Sequence, residues 1–182
     1  PESPRCSSSG TRAFLSLHVK SNLAMNTSLR ATVILSFLLL TGCVSQHDAS
    51  VNPAKANEVM FAAMQQVGKP YRYGGSSPTT GFDCSGLVDY VFQESIGMKL
   101  PRTVKELKAM PDPTINKKDL QSGDLVIFAT GRSRKADHAG IYVGEGRFVH
   151  APSSGGKVRL DKINDDYWKR SFLVGKRPLA NY

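Results

Sequence analysis

The stretch Pro70-Tyr71-Arg72-Tyr73-Gly74-Gly75, followed after a Ser/Pro/Thr loop by Gly81-Phe82-Asp83-Cys84-Ser85-Gly86, decides how this chain folds. From there Cys84, Leu87, Val88, Val91 and Phe92 recur at i, i+3, i+4, i+7 and i+8, the apolar stripe of a buried amphipathic helix. The spacing predicts a helix with Cys84 in its first turn and an end near Gly97. Orphan N–H groups and the positive dipole end favour thiolate there, which moves a cysteine from about 8.5 toward roughly 3.5–7.5 when a cation is near. A free cysteine by itself is most often a small buried apolar residue. Two downstream histidines, His138 and His150, and the features of the N-terminal residues give this one a different reading.

Working backward, the first methionine is Met25, and residues 1–24 lack periodicity, so they are expected to be upstream or unprocessed sequence. Residues 25–42 carry Arg30, the apolar run Val33 to Leu40 and then Leu40-Thr41-Gly42-Cys43. That run is shorter than the ~20 residues a bilayer requires and reads as a signal-peptide core. Its ending is similar to a bacterial lipobox, with Cys43 lipidated as the first mature residue. Residues 43–52 then form a short tether, which from Val44 to Val51 reaches less than roughly 30 Å, and 53–182 form one domain. Of the three cysteines, Cys6 falls upstream and Cys43 carries lipid. Cys84 is left as a lone thiol in an exported, disulfide-permissive compartment, the situation of a candidate nucleophile.

The formal charge of the whole chain is +9; discarding Arg5, Arg12, Lys20, Arg30 and Glu2 leaves +6 from Cys43 onward. A basic exported domain suits anionic surroundings such as lipid headgroups or cell-wall polymers. No basic stripe interleaved with aromatics appears, so nucleic acid is not expected as a partner.

Working forward, Asn52-Pro53 supplies an N-cap and an N1 proline for a helix with Val59, Met60, Ala63, Met64 and Val67 on its apolar face, expected to stop at Gly68 and to cover the site from one side. Thr103 and Glu106 fit a capping box for a third helix, ended by Pro111 and Pro113. The period then changes. Leu125–Phe128, His138–Val143, Arg147–His150, Val158–Leu160 and Phe172–Gly175 read as strands, with a helical turn near Tyr167-Trp168. Helices followed by consecutive short strands predict an α+β domain with an antiparallel sheet.

If Val143 and Arg147 pair across Gly144-Glu145-Gly146, Gly140 lies opposite His150 and His138 sits diagonally on the same face, within about 7–8 Å. A slip of one residue would separate the histidines. In the favourable register His138 can take the Cys84 proton and His150 can orient His138, a nucleophile–base–orienter relay. Zinc is the weaker reading, since Cys84, His138 and His150 contain no short ligand pair such as C-x-x-C. No metal or cofactor is expected.

Pro70-Tyr71-x-x-Gly74-Gly75, Asp83-Cys84-Ser85-Gly86, Leu100-Pro101-Arg102-Thr103, Gly123-Asp124-Leu125 and His138-Ala139-Gly140-Ile141-Tyr142 leading to Phe148-Val149-His150-Ala151 together resemble the NlpC-type cell-wall peptidases, papain-like cysteine enzymes of bacteria. The resemblance spans about residues 55–178. It implies a papain-like α+β fold with N-terminal helices on a central antiparallel sheet, Cys84 as nucleophile, His138 as base and His150 as third member. It also implies an oxyanion or substrate role for Tyr71, with Tyr73 as a rival. Asp83 and Ser85 match substrate-contact positions, although Asp83 is equally the expected helix N-cap. Arg102 matches a position that could meet a substrate carboxylate or serve a structural ion pair. The implied substrates are peptidoglycan stem peptides, cut at γ-D-glutamyl-diaminopimelate or D-alanyl-diaminopimelate bonds. A transferase or amidase using the same acyl-enzyme, and a non-catalytic wall-binding lipoprotein, are the alternatives. The expected setting is a monomer anchored by lipid on Cys43 in the outer membrane, facing the periplasm.

Overall fold

The computed structural model describes residues 51–182. The leader, the lipobox and Cys43 lie outside the described residues.

Helix α1 (Pro53–Gln65) begins where its local chemistry dictates: Asn52 accepts from the Ala54 N–H at 3.1 Å, and Pro53 occupies the first turn. It ends three residues before Gly68, which takes φ +90° in the turn that follows. Its apolar face is only partly core. Val59 and Ala63 are buried, whereas Phe61, Met64 and Val67 are exposed, Phe61 at 62%. The short antiparallel pair β1 (Ser76–Ser77) and β2 (Gly81–Phe82) lies within the Gly/Ser/Pro-rich region expected as loop. It delivers the chain to α2 (Cys84–Ile96), which Gly97 closes in the left-handed conformation at φ +72°. Helix α3 (Val104–Ala109) starts at Thr103, whose hydroxyl accepts from the Glu106 N–H at 3.3 Å and donates to Glu106 Oε2 at 2.7 Å. The glutamate therefore closes the cap through the hydroxyl instead of the backbone.

The strands are β3 (Thr114–Ile115), β4 (Leu125–Phe128), β5 (His138–Gly144), β6 (Arg147–His150), β7 (Arg159–Lys162) and β8 (Phe172–Lys176), with α4 (Asp166–Ser171) before the last. Among the described residues they form one antiparallel sheet in the order β3-β8-β4-β5-β6-β7. The expected α+β architecture is present. Strand β4 is apolar at every position because both faces of the sheet are covered: Leu125 and Ile127 join the core beneath α1 and α2, while Val126 and Phe128 pack with Phe148, Ile163 and Trp168 on the opposite face. The β4 end is tied to the C-terminal segment by Arg177, which donates from Nε and Nη2 to the two oxygens of buried Asp124, each at 2.9 Å.

The hairpin of β5 and β6 departs from expectation at its tip and keeps the register that matters. Arg147 pairs with Gly144 instead of Val143, because a bulge absorbs one residue. The connecting turn needs left-handed backbone at Gly144, Glu145 and Gly146, with φ of +96°, +50° and +71°. Beyond the bulge Gly140 faces His150, as expected. A Cβ on Gly140 would stand 2.7 Å from the Phe148 ring and 3.1 Å from the His150 Cβ, so glycine is what lets these side chains close over the strand.

Candidate active site

The site is built first by a backbone problem at the start of α2. Asp83 caps the helix, its Oδ1 accepting from the Gly86 N–H at 2.7 Å, while Oδ2 accepts from the Gly74 N–H at 3.0 Å. Arg102 grips the same carboxylate from Nη1 at 2.7 Å and Nη2 at 3.1 Å, and Nη2 also donates to the Gly75 carbonyl at 2.9 Å. Ser85, buried, donates to the Arg102 carbonyl at 2.7 Å. The glycines are steric requirements here. A Cβ on Gly86 would lie 2.1 Å from the Gly75 oxygen, and one on Gly75 would lie 2.3 Å from the Gly81 oxygen. Asp83, Ser85 and Arg102 thus bond chiefly to one another and to backbone, and they hold the Gly74-Gly75 loop against the Cys84 turn. All three also line the groove above it.

Cys84 is the first residue of α2 and half-buried, with its sulfur reached by the backbone N–H groups of Ala139, Ser85 and Cys84 itself. Burial pushes its thiol up, the neighbouring Asp83 carboxylate adds to this, and those N–H groups oppose it. The low pKa expected from the helix terminus is therefore overturned. Desolvation is the largest influence on the thiol and favours its neutral form.

Ala139 follows His138, so Cys84 meets β5 at the first residues of that strand. His138 and His150 lie together: Nε2 of His138 is 2.8 Å from Nδ1 of His150, and the rings are 5.0 Å apart and nearly perpendicular. Both are shut away from water, His150 at 0% exposure. Burial lowers His138 to about 4, with Arg159 pushing the same way against Asp137 and Asp161. Burial and the charge His138 would carry also lower His150. Burial thus favours the neutral form of both imidazoles and of the thiol.

Two neighbours of the histidines had no role in the sequence reading. Trp168 stacks on His138 at 5.4 Å and meets His150 edge-on at 4.8 Å, closing an aromatic wall with Phe128 and Phe148. Asp161 places Oδ2 3.1 Å from His150 Nε2, and the same oxygen accepts from Trp168 Nε1 at 2.9 Å and Arg159 Nη2 at 2.8 Å. The only sequence signal for this was the alternation Arg159-x-Asp161, which puts both on one strand face. Strand β7 pairs Arg159 with His150 and Asp161 with Phe148.

A groove of about 610 Å³ runs over Cys84, lined by Tyr71, Tyr73, Asp83, Ser85 and Arg102 among others. Tyr71 is the better placed of the two tyrosines. Burial and then the proximity of Cys84 and Asp83 push its hydroxyl up, whereas Tyr73 is 89% exposed. No residue of α1 lines the groove, so that helix supports the sheet and α2 from behind and does not cover the site as expected. Among the described residues no group of three His, Cys, Asp or Glu side chains is arranged to hold a metal ion.

The model of the NlpC/P60 family matches residues 68–177, which contain every element of this site. The chain belongs to the NlpC/P60 family. Murein DD-endopeptidase MepH of Escherichia coli (strain K12) is 44% identical over 136 residues, 74% of this chain and 49% of that protein. Gamma-DL-glutamyl hydrolase of Bacillus subtilis (strain 168) is 41% identical over 133 residues, 72% of this chain and 32% of its own. The chain therefore spans half or less of the length of these relatives. The crystal structure of an NlpC/P60 family protein from Bacillus cereus ATCC 10987 superposes with a TM-score of 0.63 at 26% identity, covering 68% of this chain and 40% of that one. The α+β NlpC/P60 fold is thus common to the chain and to this solved structure.

Proposed function

We propose that the protein is a peptidoglycan endopeptidase, hydrolysing an amide bond of a stem peptide through Cys84. The observation that carries this reading is the set of groups converging on the start of β5: Cys84 at a helix N-terminus under an open groove, and His138 held by a buried His150. His138 takes the thiol proton as sulfur attacks the carbonyl carbon, so the ion pair forms during reaction and is not stored at rest. The oxyanion of the tetrahedral intermediate is stabilised by the backbone N–H of Cys84 and by the Tyr71 hydroxyl. The imidazolium of His138 then protonates the leaving amine, and water resolves the thioester. His150 orients His138. Asp83, Ser85 and Arg102 shape the groove floor, and the solvent-facing edges of Asp83 and Arg102 meet the substrate. The named activities of MepH and gamma-DL-glutamyl hydrolase support an amide of the stem peptide as substrate, the bond being γ-D-glutamyl-diaminopimelate or D-alanyl-diaminopimelate.

The leader-like residues 25–42 and the Leu40-Thr41-Gly42-Cys43 ending support a lipid anchor on Cys43 that keeps the enzyme near its membrane, and Val44 after that cysteine supports an outer-membrane position. The test is digestion of purified peptidoglycan by the protein and by Cys84→Ala, with products identified by mass spectrometry. New stem fragments that disappear in the variant are expected, and their masses name the bond. Absence of fragments, or fragments that persist in Cys84→Ala, would overturn the reading.

A further inference from the structure

We propose that Asp161 is a positioning residue that sets the proton register of the two histidines, leaving Nδ1 of His138 as the nitrogen that can receive a proton. The inference deepens the peptidase reading and rests on it for its catalytic meaning. Oδ2 of Asp161 is crowded by donors: Trp168 Nε1 at 2.9 Å, Arg159 Nη2 at 2.8 Å and Arg159 Nε at 3.1 Å. Indole and guanidinium nitrogens only donate, so this oxygen acts as an acceptor and the carboxylate is charged.

His150 Nε2 lies 3.1 Å from that same oxygen, off the ideal N–H line, and no other described group hydrogen-bonds to it. A bare ring lone pair would repel the carboxylate at this distance, whereas an N–H is attracted. Nε2 of His150 therefore carries the proton. A neutral imidazole holds one such proton, so its Nδ1 is bare and must accept across the 2.8 Å contact from Nε2–H of His138. His138, neutral in turn, is left with a bare Nδ1.

Without the carboxylate the 2.8 Å contact is satisfied equally well in reverse, His150 Nδ1–H donating to His138 Nε2. His138 then carries its proton on Nδ1 and has no lone pair there. The surrounding aromatic rings offer no acceptor that would break this degeneracy. Phe128 and Phe148 have no polar atom, and the Trp168 N–H is already committed to Asp161.

Long-range ¹H–¹⁵N correlation spectra of the protein read the tautomers directly. At pH 7 the expected result is an unprotonated Nδ1 and protonated Nε2 on His138, with a protonated Nε2 on His150. In Asp161→Ala no acceptor faces His150 Nε2, so the reverse register should appear. kcat on soluble muropeptides should fall at least tenfold with KM little changed; losing the orienting carboxylate of a Ser-His-Asp site costs about 10⁴. Asp161→Ala with wild-type tautomers and wild-type kcat would overturn the proposal. Should the variant fail to fold, the wild-type spectrum still decides: His138 protonated on Nδ1 overturns it. The two readings separate cleanly. The expected register in a protein that leaves peptidoglycan uncut would sink the peptidase and sustain the register. Cys84-dependent cleavage by a protein whose His138 holds Nδ1–H would do the reverse.

Discussion

Acidification from pH 7 to pH 5 should destabilise this domain through His138 alone by ~2 kcal/mol. The folded ring sits at about 4 against an ordinary 6.5, because burial beneath Trp168 and Phe128 disfavours its charged form. Between those values the unfolded chain binds the proton and the native state does not. Stability is therefore full above about pH 6.5 and is lost as pH falls toward 4. For a single group with these two constants, linkage gives a loss of about 0.2 kcal/mol at pH 7 and ~2 kcal/mol at pH 5. That is a large share of the roughly 5–15 kcal/mol by which a domain is ordinarily stable. Urea unfolding of the protein and of His138→Gln at both pH values measures it. The variant starts lower, from lost packing, but its pH sensitivity should be smaller than wild type by at least ~2 kcal/mol, since losing His138 also removes one of the influences that lowers His150. Equal pH sensitivities, or a His138 ring that titrates near 6.5 by NMR, would refute the reasoning.

Gly86→Ala drives a methyl into the Gly75 carbonyl and the Arg102 guanidinium, so a stability loss of about 1–3 kcal/mol is expected, read as a lower thermal midpoint. Asp124→Ala removes the carboxylate paired with the Arg177 guanidinium at the buried end of β4, leaving it the Asp119 carbonyl among its partners, and should cost up to about 3 kcal/mol in urea unfolding, more than a surface carboxylate. Cys84, raised by burial, should alkylate slowly with iodoacetamide at pH 6 and gain rate through the alkaline range above pH 9. A rate plateau already reached by pH 7 would show a resting thiolate and contradict the neutral pair.

What the sequence determined by itself is what depends on neighbours along the chain. Asn52, Asp83 and Thr103 could be read as helix caps because a cap satisfies N–H groups only two or three residues away. Leu125–Phe128 could be read as a strand, and the pairing of Gly140 with His150 followed from a three-residue turn, although the bulge at Val143 moved the tip. Cys84, His138 and His150 could thus be picked out together. Asp161 could not, because Ala151–Val158 separates β6 from β7 and a connection of that length leaves their register open. The helix terminus likewise argued for a thiolate at Cys84. Yet the pKa of a side chain is set by how much water the whole fold removes from it, and the packing of α2 against β5 made desolvation the larger effect. Local bonding is written in consecutive residues, whereas burial and cross-strand register belong to the assembled core, and it was the core that decided the protonation states at this site.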